Sequence, residues 1–408
     1  MKKNIVLTVV LSAMLLTGCS KETELIDDFE TSGITVSSQL TQTAETEGET
    51  QYIFGGETET SADENENPET KITENMRLFD FGKLNVETQN EGVSVDTLGS
   101  FVNGNICCTF CEIKSEQEHI RYIMRFYNME SETVEKTIRV IGSYRNESYE
   151  FVKFLGSDDD TLCKVRLIGD GSILDTYYVM TVKNDYSFEF SEYDVQSAAL
   201  NIGEHNITQW YNDIIDADRD IKIVEGFESD GDSYRLETVR SQEYMFPIDE
   251  YRFVYRTAGY ESMPCFGIYN FETDAAADVP DSENLLPIGI HNGKVYSVKT
   301  AWDGFGTELY TTDIETLETD FFMDYPFELE QNAFVSYAMS EDGKHIAVLK
   351  SGYEVPKTVY IIDPDTAEIT AENEITYDFQ YHSGISFADN DTVVIQNWSD
   401  KILIIDIE

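Results

Sequence analysis

Basic residues are scarce in this chain. Lys and Arg number 28 against 78 Asp and Glu, which leaves a formal net charge of −50 over 408 residues. With +2 in residues 1–19 and −13 in residues 20–70, −39 of that charge falls on the remainder, so acidity is spread along the whole chain. Such a field repels phosphate backbones and anionic headgroups, which excludes nucleic acid as a partner. Histidine is rarer still. His119, His205, His291, His345 and His382 are the five, and no two stand at metal-ligand spacing or within a Cys/His cluster. The chain has no Gly-rich phosphate loop, no Gly-x-Ser-x-Gly elbow and no His-Glu-x-x-His pair. No cofactor, no metal and no catalytic residue is therefore expected. Long apolar runs are missing too: past residue 16 nothing approaches the 18 or so residues that a membrane-spanning helix needs.

What little there is of cysteine is odd in number. After Cys19 come Cys107, Cys108, Cys111, Cys163 and Cys265, which cannot all pair within one molecule. Cys107 and Cys108 sit in a strand-like run and point to opposite faces, whereas Cys107 and Cys111 share a face too far apart for an unstrained disulfide. Buried, small apolar side chains are expected. The acidic run Asp213, Asp216, Asp218, Asp220 has the alternation of a calcium loop, but Ile221 stands where an EF-hand needs Gly and the twelfth position is Phe227. We read it as turn chemistry. A glycosidase needs two opposed carboxylates, and the sequence selects no pair.

The N-terminus begins Met1-Lys2-Lys3, continues with an apolar run from Ile5 to Leu16, and reaches Leu16-Thr17-Gly18-Cys19 at once. The run is too short to span a bilayer and reads as a secretory signal over 1–18. Its end resembles the bacterial lipobox, in which the cysteine is lipidated and becomes the mature N-terminus. That resemblance implies lipidation of Cys19, attachment to the membrane through the N-terminal lipid only, and an extracytoplasmic, cell-surface location. Residues 19–74 then form an acidic linker rich in Ser, Thr and Glu, which has little to bury and is expected to be disordered. A flexible linker of that length reaches roughly 40 Å, enough to hold a domain off a membrane.

Beyond residue 74 the sequence repeats. From Ala333 to Ile375 four strand-like runs (Phe334–Met339, His345–Lys350, Thr358–Ile362, Ile369–Ile375) are separated by Glu-Asp-Gly, Ser-Gly and Asp-Pro-Asp turns. One such up-and-down sheet is marginal alone and must stack on copies of itself. Similar turns follow strands at Asn128, Asn184, Gly226, Asn270, Asp313, Asp363 and Asp406, all but Gly226 led by Asp or Asn, with spacings of 56, 42, 44, 43, 50 and 43. An Asp or Asn side chain there can accept from the backbone two residues on. Seven units of four strands predict an all-β chain, a single β-propeller over 75–408 of about seven four-stranded blades; six or eight blades, or an open β-solenoid, are the alternatives. The last unit lacks its fourth strand, and the orphan run Arg77–Val86 is expected to supply it and close the ring. Ser340-Glu-Asp-Gly-Lys344, followed by Ile346 and Ala347, resembles the Ser-Pro-Asp-Gly-Lys turn of TolB-like and WD-type bacterial propellers, with Glu341 in place of Pro. This resemblance implies the fold and leaves function open, because propellers host binders, scaffolds and enzymes alike.

One pattern points to a site. The connection between second and third strands carries an aromatic in four consecutive units: Tyr260, Trp302, Tyr353 and Trp398. Acidic residues accompany them, Glu261, Asp303 and Glu354 directly, with Asp400 two residues from Trp398. Up-and-down strands place all four connections at one end of the ring. Rings beside carboxylates suit a protein or glycan partner, although the same rings can instead pack on adjoining loops. The expected function is therefore binding or scaffolding at the cell envelope. The alternatives are an envelope glycan- or peptide-acting enzyme using channel carboxylates, and a structural component of a membrane complex.

Overall fold

The computed structural model describes residues 75–85, 93–115, 121–142, 149–158, 160–169, 176–210, 213–224, 240–259, 264–300, 308–328, 333–352, 355–375, 384–396 and 400–407. The signal sequence, Cys19 and the acidic linker lie outside the described residues.

The chain enters on β1 (Met76–Asp80), followed by a 3-10 turn over Phe81–Leu84. Blade 1 is β2 (Val93–Asn103), β3 (Ile106–Ser115), β4 (Arg121–Asn128) and β5 (Thr133–Gly142). Blade 2 is β6 (Tyr149–Asp158), β7 (Thr161–Gly169), β8 (Thr176–Lys183) and β9 (Phe188–Glu192). Blade 3 is β10 (Leu200–Ile202), β11 (His205–Trp210), β12 (Asp213–Asp216) and β13 (Ile221–Val224). Blade 4 is β14 (Arg240–Pro247), β15 (Arg252–Gly259), β16 (Cys265–Asn270) and β17 (Ala275–Asp278). Blade 5 is β18 (Leu285–His291), β19 (Lys294–Lys299), β20 (Glu308–Asp313) and β21 (Thr319–Asp324). Blade 6 is β22 (Ala333–Met339), β23 (Ile346–Gly352), β24 (Lys357–Asp363) and β25 (Glu368–Ile375). Blade 7 is β26 (Gly384–Asp389), β27 (Thr392–Gln396) and β28 (Lys401–Asp406).

Blades 1 to 6 are antiparallel sheets in chain order, and the seventh has the order β1-β28-β27-β26. The N-terminal strand thus completes the last blade, with Met76 opposite Ile405 and Asp80 opposite Lys401. The chain is a seven-bladed all-β propeller. First strands of successive blades meet (β26 with β2, β2 with β6, β6 with β10, β14 with β18, β18 with β22, β22 with β26), so they form the innermost ring.

Burial explains the strand compositions. A middle strand is covered by blades on both sides, so it is apolar on both faces. β23 is buried at every position and β24 from Thr358 to Ile362. Fourth strands lie at the rim, and β17 is exposed throughout. Apolar side chains interleave between blades. Leu349, Val359 and Ile361 of blade 6 meet Ile385, Val393 and Leu403 of blade 7. Each such side chain, fully buried, contributes about 1.5–3 kcal/mol. The interface between blades 2 and 3 differs: Arg166 is buried there, with its guanidinium 4.9 Å from the Tyr177 ring centre and 5.4 Å from that of Tyr193.

The cysteines behave as small core residues. Cys107 faces blade 7, beside Phe79 and Ile404, and Cys108 faces blade 2, beside Cys163 and Val165. Cys107, Cys108, Cys111 and Cys163 are buried thiols, and Cys265 is half-buried.

The third unit departs from the predicted turn spacing. Ile221–Val224 is a fourth strand and not a third. The turn that ends the third strand begins at Asp216, and residues 226–229 lie outside the described residues. The reason is chemical. Asp216 Oδ1 accepts from the backbone N–H groups of Asp218 and Arg219, and Oδ2 accepts from Arg219 Nε at 2.6 Å. The acidic run that has calcium-like spacing is this blade's own Asp-led turn. The same bonding recurs where predicted: Asn128 caps Glu130 and Ser131, Asp313 caps Glu315 and Thr316, and Asp363 caps Asp365 and Thr366.

Candidate functional site

The two ends of the ring differ. One carries the turns between strands 1 and 2 and between strands 3 and 4, and it is stitched from blade to blade. Arg252 of blade 4 reaches Glu315 of blade 5 at 2.7 Å. His291 Nε2 of blade 5 lies 2.9 Å from Asp365 Oδ1 of blade 6, and Tyr296 donates to the Pro364 carbonyl at 2.9 Å. The Asp342 N–H of blade 6 donates to Asn390 Oδ1 of blade 7, and the Gly104 N–H of blade 1 to the Ala388 carbonyl of blade 7. Arg77 of β1 donates to the Met129 carbonyl in blade 1.

The other end carries the connections between second and third strands. In blades 4 to 7 these run from Gly259 to Cys265, Lys299 to Glu308, Gly352 to Lys357 and Gln396 to Lys401. The predicted binding residues Tyr260, Trp302, Asp303, Tyr353, Glu354 and Trp398 all belong to these connections, and all six lie outside the described residues. Their flanking strands do emerge side by side on consecutive blades, as the repeat requires. Asp400, near Trp398, ties two blades together: its carboxylate accepts from the Thr97 hydroxyl of blade 1 at 3.0 Å.

A second feature lies on the channel side of the same four blades. A cavity of about 470 Å3 is walled by their first strands, through Met245 and Phe246 of β14, Leu286 to Ile288 of β18, Tyr337 to Met339 of β22 and Ser386 to Asp389 of β26, with Glu341 from the turn after β22. That size falls within the few hundred Å3 of small-molecule sites. Three of the four walls carry a β-bulge here. Pairing steps from Tyr244 to Phe246, from Pro287 to Gly289 and from Phe387 to Asp389 while the partner strand advances one residue. The residues left over are Met245, Ile288 and Ala388, and each lines the cavity. A bulge re-aims side chains in this way. Gly289 leaves the room that Met339 occupies, since a Cβ there would stand 2.7 Å from both the Cβ and the Sδ of Met339.

The recess has a mixed lining, with apolar side chains beside Tyr337 and Ser386 and carboxylates at its mouth. Burial pushes the Tyr337 phenol up to about 12, against the opposing charge of Arg256, so it stays a neutral hydroxyl. Glu341 and Asp389 are exposed at the mouth. Glu341 is held out by its turn: Ser340 donates to Asp342 Oδ1 at 2.9 Å, as does the Lys344 N–H at 3.1 Å. Lys344 lies 2.7 Å from Asp342 and, with these hydrogen bonds, holds that carboxyl down to about 2. Asp389 caps its own turn through Asp391 N–H at 2.9 Å. Among the described residues, the carboxyl groups displaced from their ordinary range are Asp185, Asp249, Glu308, Asp313 and Asp342, each displaced downward by hydrogen bonds or by Lys or Arg. That suits charge pairing better than proton donation at neutral pH.

The cavity residues are absent from the sequence-based site. Pro287 is the signal that could have found part of it, because proline inside a sheet is confined to edges and bulges.

No protein-family model matches the sequence, and no curated protein matches it. Among solved structures the chain is similar to the β-propeller domain of the Trilobed protease from Pyrococcus furiosus, at 12% identity over 74% of this chain and 88% of that one, with a TM-score of 0.43. It is also similar to TolB from Acinetobacter baumannii, at 12% identity over 79% of this chain and 82% of that one, with a TM-score of 0.34. At this level the likenesses are descriptive, and the propeller stands on the strand pairing above.

Proposed function

We propose that this chain is a lipid-anchored, extracytoplasmic binding propeller of the bacterial cell envelope, which recognises a protein or a glycan without transforming it. Lipidation at Cys19 anchors the mature chain, and the acidic linker carries the ring away from the membrane. The recognition face is the end bearing Tyr260, Trp302, Asp303, Tyr353, Glu354 and Trp398.

The observation that carries this reading is the placement of the four aromatic connections. The strands that flank them are second and third strands of four consecutive blades, which supports reading the four connections as one face. Central aromatic anchors typically contribute about 2 kcal/mol or more each, and a few of them suffice for micromolar or tighter recognition. The carboxylates among them favour a partner with basic or hydroxyl groups.

Capture from a native cell-surface extract tests it. The bait is the mature chain, and the control carries alanine at Tyr260, Trp302, Tyr353 and Trp398. A protein or glycan retained by the first and lost from the second supports the reading. Equal retention, with both baits folded, removes it. A Cys19→Ala chain that still takes up an alkyne fatty acid in cells would remove the anchor.

A further inference from the structure

We propose that the channel cavity of blades 4 to 7 is a second binding site, for a small hydrophobic organic cation. It is independent of the aromatic face. Three observations carry it.

The first is construction. Of the four strands that wall the cavity, β14, β18 and β26 are bulged at the cavity itself, and the unpaired residues Met245, Ile288 and Ala388 all line it. A bulge gives up regular ladder pairing. The irregular positions fall together on three of its four walls, so the same stretch of each first strand that departs from regular pairing borders this one space.

The second is size. At about 470 Å3 the cavity is roughly three times the 150 Å3 that accommodates benzene. It takes an alkyl chain or a ring system, and its methionines, Met245 and Met339, adapt their shape to a ligand.

The third is charge. Glu341 and Asp389 contribute the only charged side chains among the described residues that line the cavity. Asp389 Oδ1 accepts from the Asp391 N–H in its own turn. Glu341 occupies a turn whose other acidic member, Asp342, is already paired with Lys344 at 2.7 Å. Glu341 therefore faces the mouth while Lys344 is engaged elsewhere. An apolar body with an adjacent ammonium matches this arrangement, and the net charge of −50 concentrates such cations near the ring.

Calorimetric titration of the unlipidated chain without signal and Cys19 (residues 20–408) tests the proposal. The probe is decyltrimethylammonium below its micelle concentration, with decyl sulfate as the anionic congener of equal chain length. The expected result is one saturable site for the cation and at least tenfold weaker binding of the sulfate. A double variant, Glu341→Gln with Asp389→Asn, retains a side-chain carbonyl for the Asp391 N–H and should weaken the cation roughly three- to tenfold while leaving the sulfate unchanged. Two filling variants, Ala388→Trp and Ser386→Trp, keep the surface charge and should abolish saturable binding. Their folding is checked by circular dichroism and melting temperature, and either one that folds decides the matter. Saturable cation binding that survives in a folded filling variant assigns it to the acidic surface and overturns the proposal. Equal affinity for both congeners, or no binding of the cation, also overturns it. None of these outcomes bears on the aromatic face, whose own capture experiment is unaffected.

Discussion

Replacing Asn85 with alanine should loosen the seam of the ring. Asn85 follows the 3-10 turn after β1 and is 1% exposed, yet it reaches into blade 1. Its Oδ1 accepts from Arg125 Nη1 at 2.5 Å and from the Tyr127 hydroxyl at 2.7 Å. Arg125 is itself buried, and its Nε donates to Thr137 at 3.1 Å. The alanine removes one hydrogen bond to a charged donor, worth about 1.5–3 kcal/mol, and one neutral bond, worth about 0.5–1.5 kcal/mol, and it leaves a buried hydroxyl and a buried guanidinium each short of an acceptor. The loss should be about 3–5 kcal/mol. With a urea dependence of about 3 kcal/mol per molar, the unfolding midpoint falls by roughly 1–1.7 M. Asn85→Asp offers an ionised acceptor to the same guanidinium. Its folded carboxyl pKa should lie below the unfolded value of about 3.9, so its benefit is complete above that pH and disappears as pH falls through the folded pKa. An Asn85→Ala chain that loses less than about 1 kcal/mol would show that the contact does not hold the seam.

Phe79→Ala should cost about 3–5 kcal/mol, because Phe79 is 1% exposed and packs at 6.0 Å on Tyr127 of the neighbouring blade; thermal melts of the variant check this. Gly343→Ala should cost about 1–3 kcal/mol in the same assay, since Gly343 has φ +73° and a Cβ there would strike the Ile290 carbonyl of blade 5. Alkali should unfold the ring as its tyrosines ionise. Burial pushes Tyr296 and Tyr337 up to about 12, and Tyr127, Tyr244, Tyr255, Tyr269 and Tyr325 upward as well. Their neutral forms favour the fold fully below the unfolded value of about 10, and that contribution is lost as pH rises toward 12. Tyrosinate absorbance and circular dichroism should therefore change together, and ionisation of these groups without unfolding would contradict the burial argument.

Much of the fold was legible because local chemistry repeats. Blade 6 follows its turns closely: Glu-Asp-Gly and Asp-Pro-Asp fall between strands as read, whereas Ser351-Gly352, read as a turn, forms the end of β23. The closing role of residues 76–80 follows from a count, since β26 to β28 need a fourth strand. The turn assignment of blade 3 fails for an instructive reason. Asp216-Ala-Asp-Arg219 resembles a metal loop in composition, and the later Gly-Phe-Glu-Ser matches the repeat spacing better, so the true turn is passed over. Sequence reports which residues can cap a turn, and only tertiary pairing decides which one does. The cavity is illegible for a related reason. Bulges at Met245, Ile288 and Ala388 shift side chains by one position, and period-two reasoning assumes that no such slip occurs. The aromatic face is a sequence reading, and its residues lie outside the described structure.

Hydrogen exchange at β1 tests the closed ring most directly. The backbone of Met76–Asp80 pairs with Lys401–Ile405 across the end of the chain, and the two strands share blade 7. If the ring is closed as described, the paired amides of β1 and β28 exchange slowly and to the same extent, through one shared opening event. Exchange of β1 at the rate of a free terminal segment, with β28 still protected, would contradict closure by the N-terminal strand and with it the architecture on which both proposed sites rest.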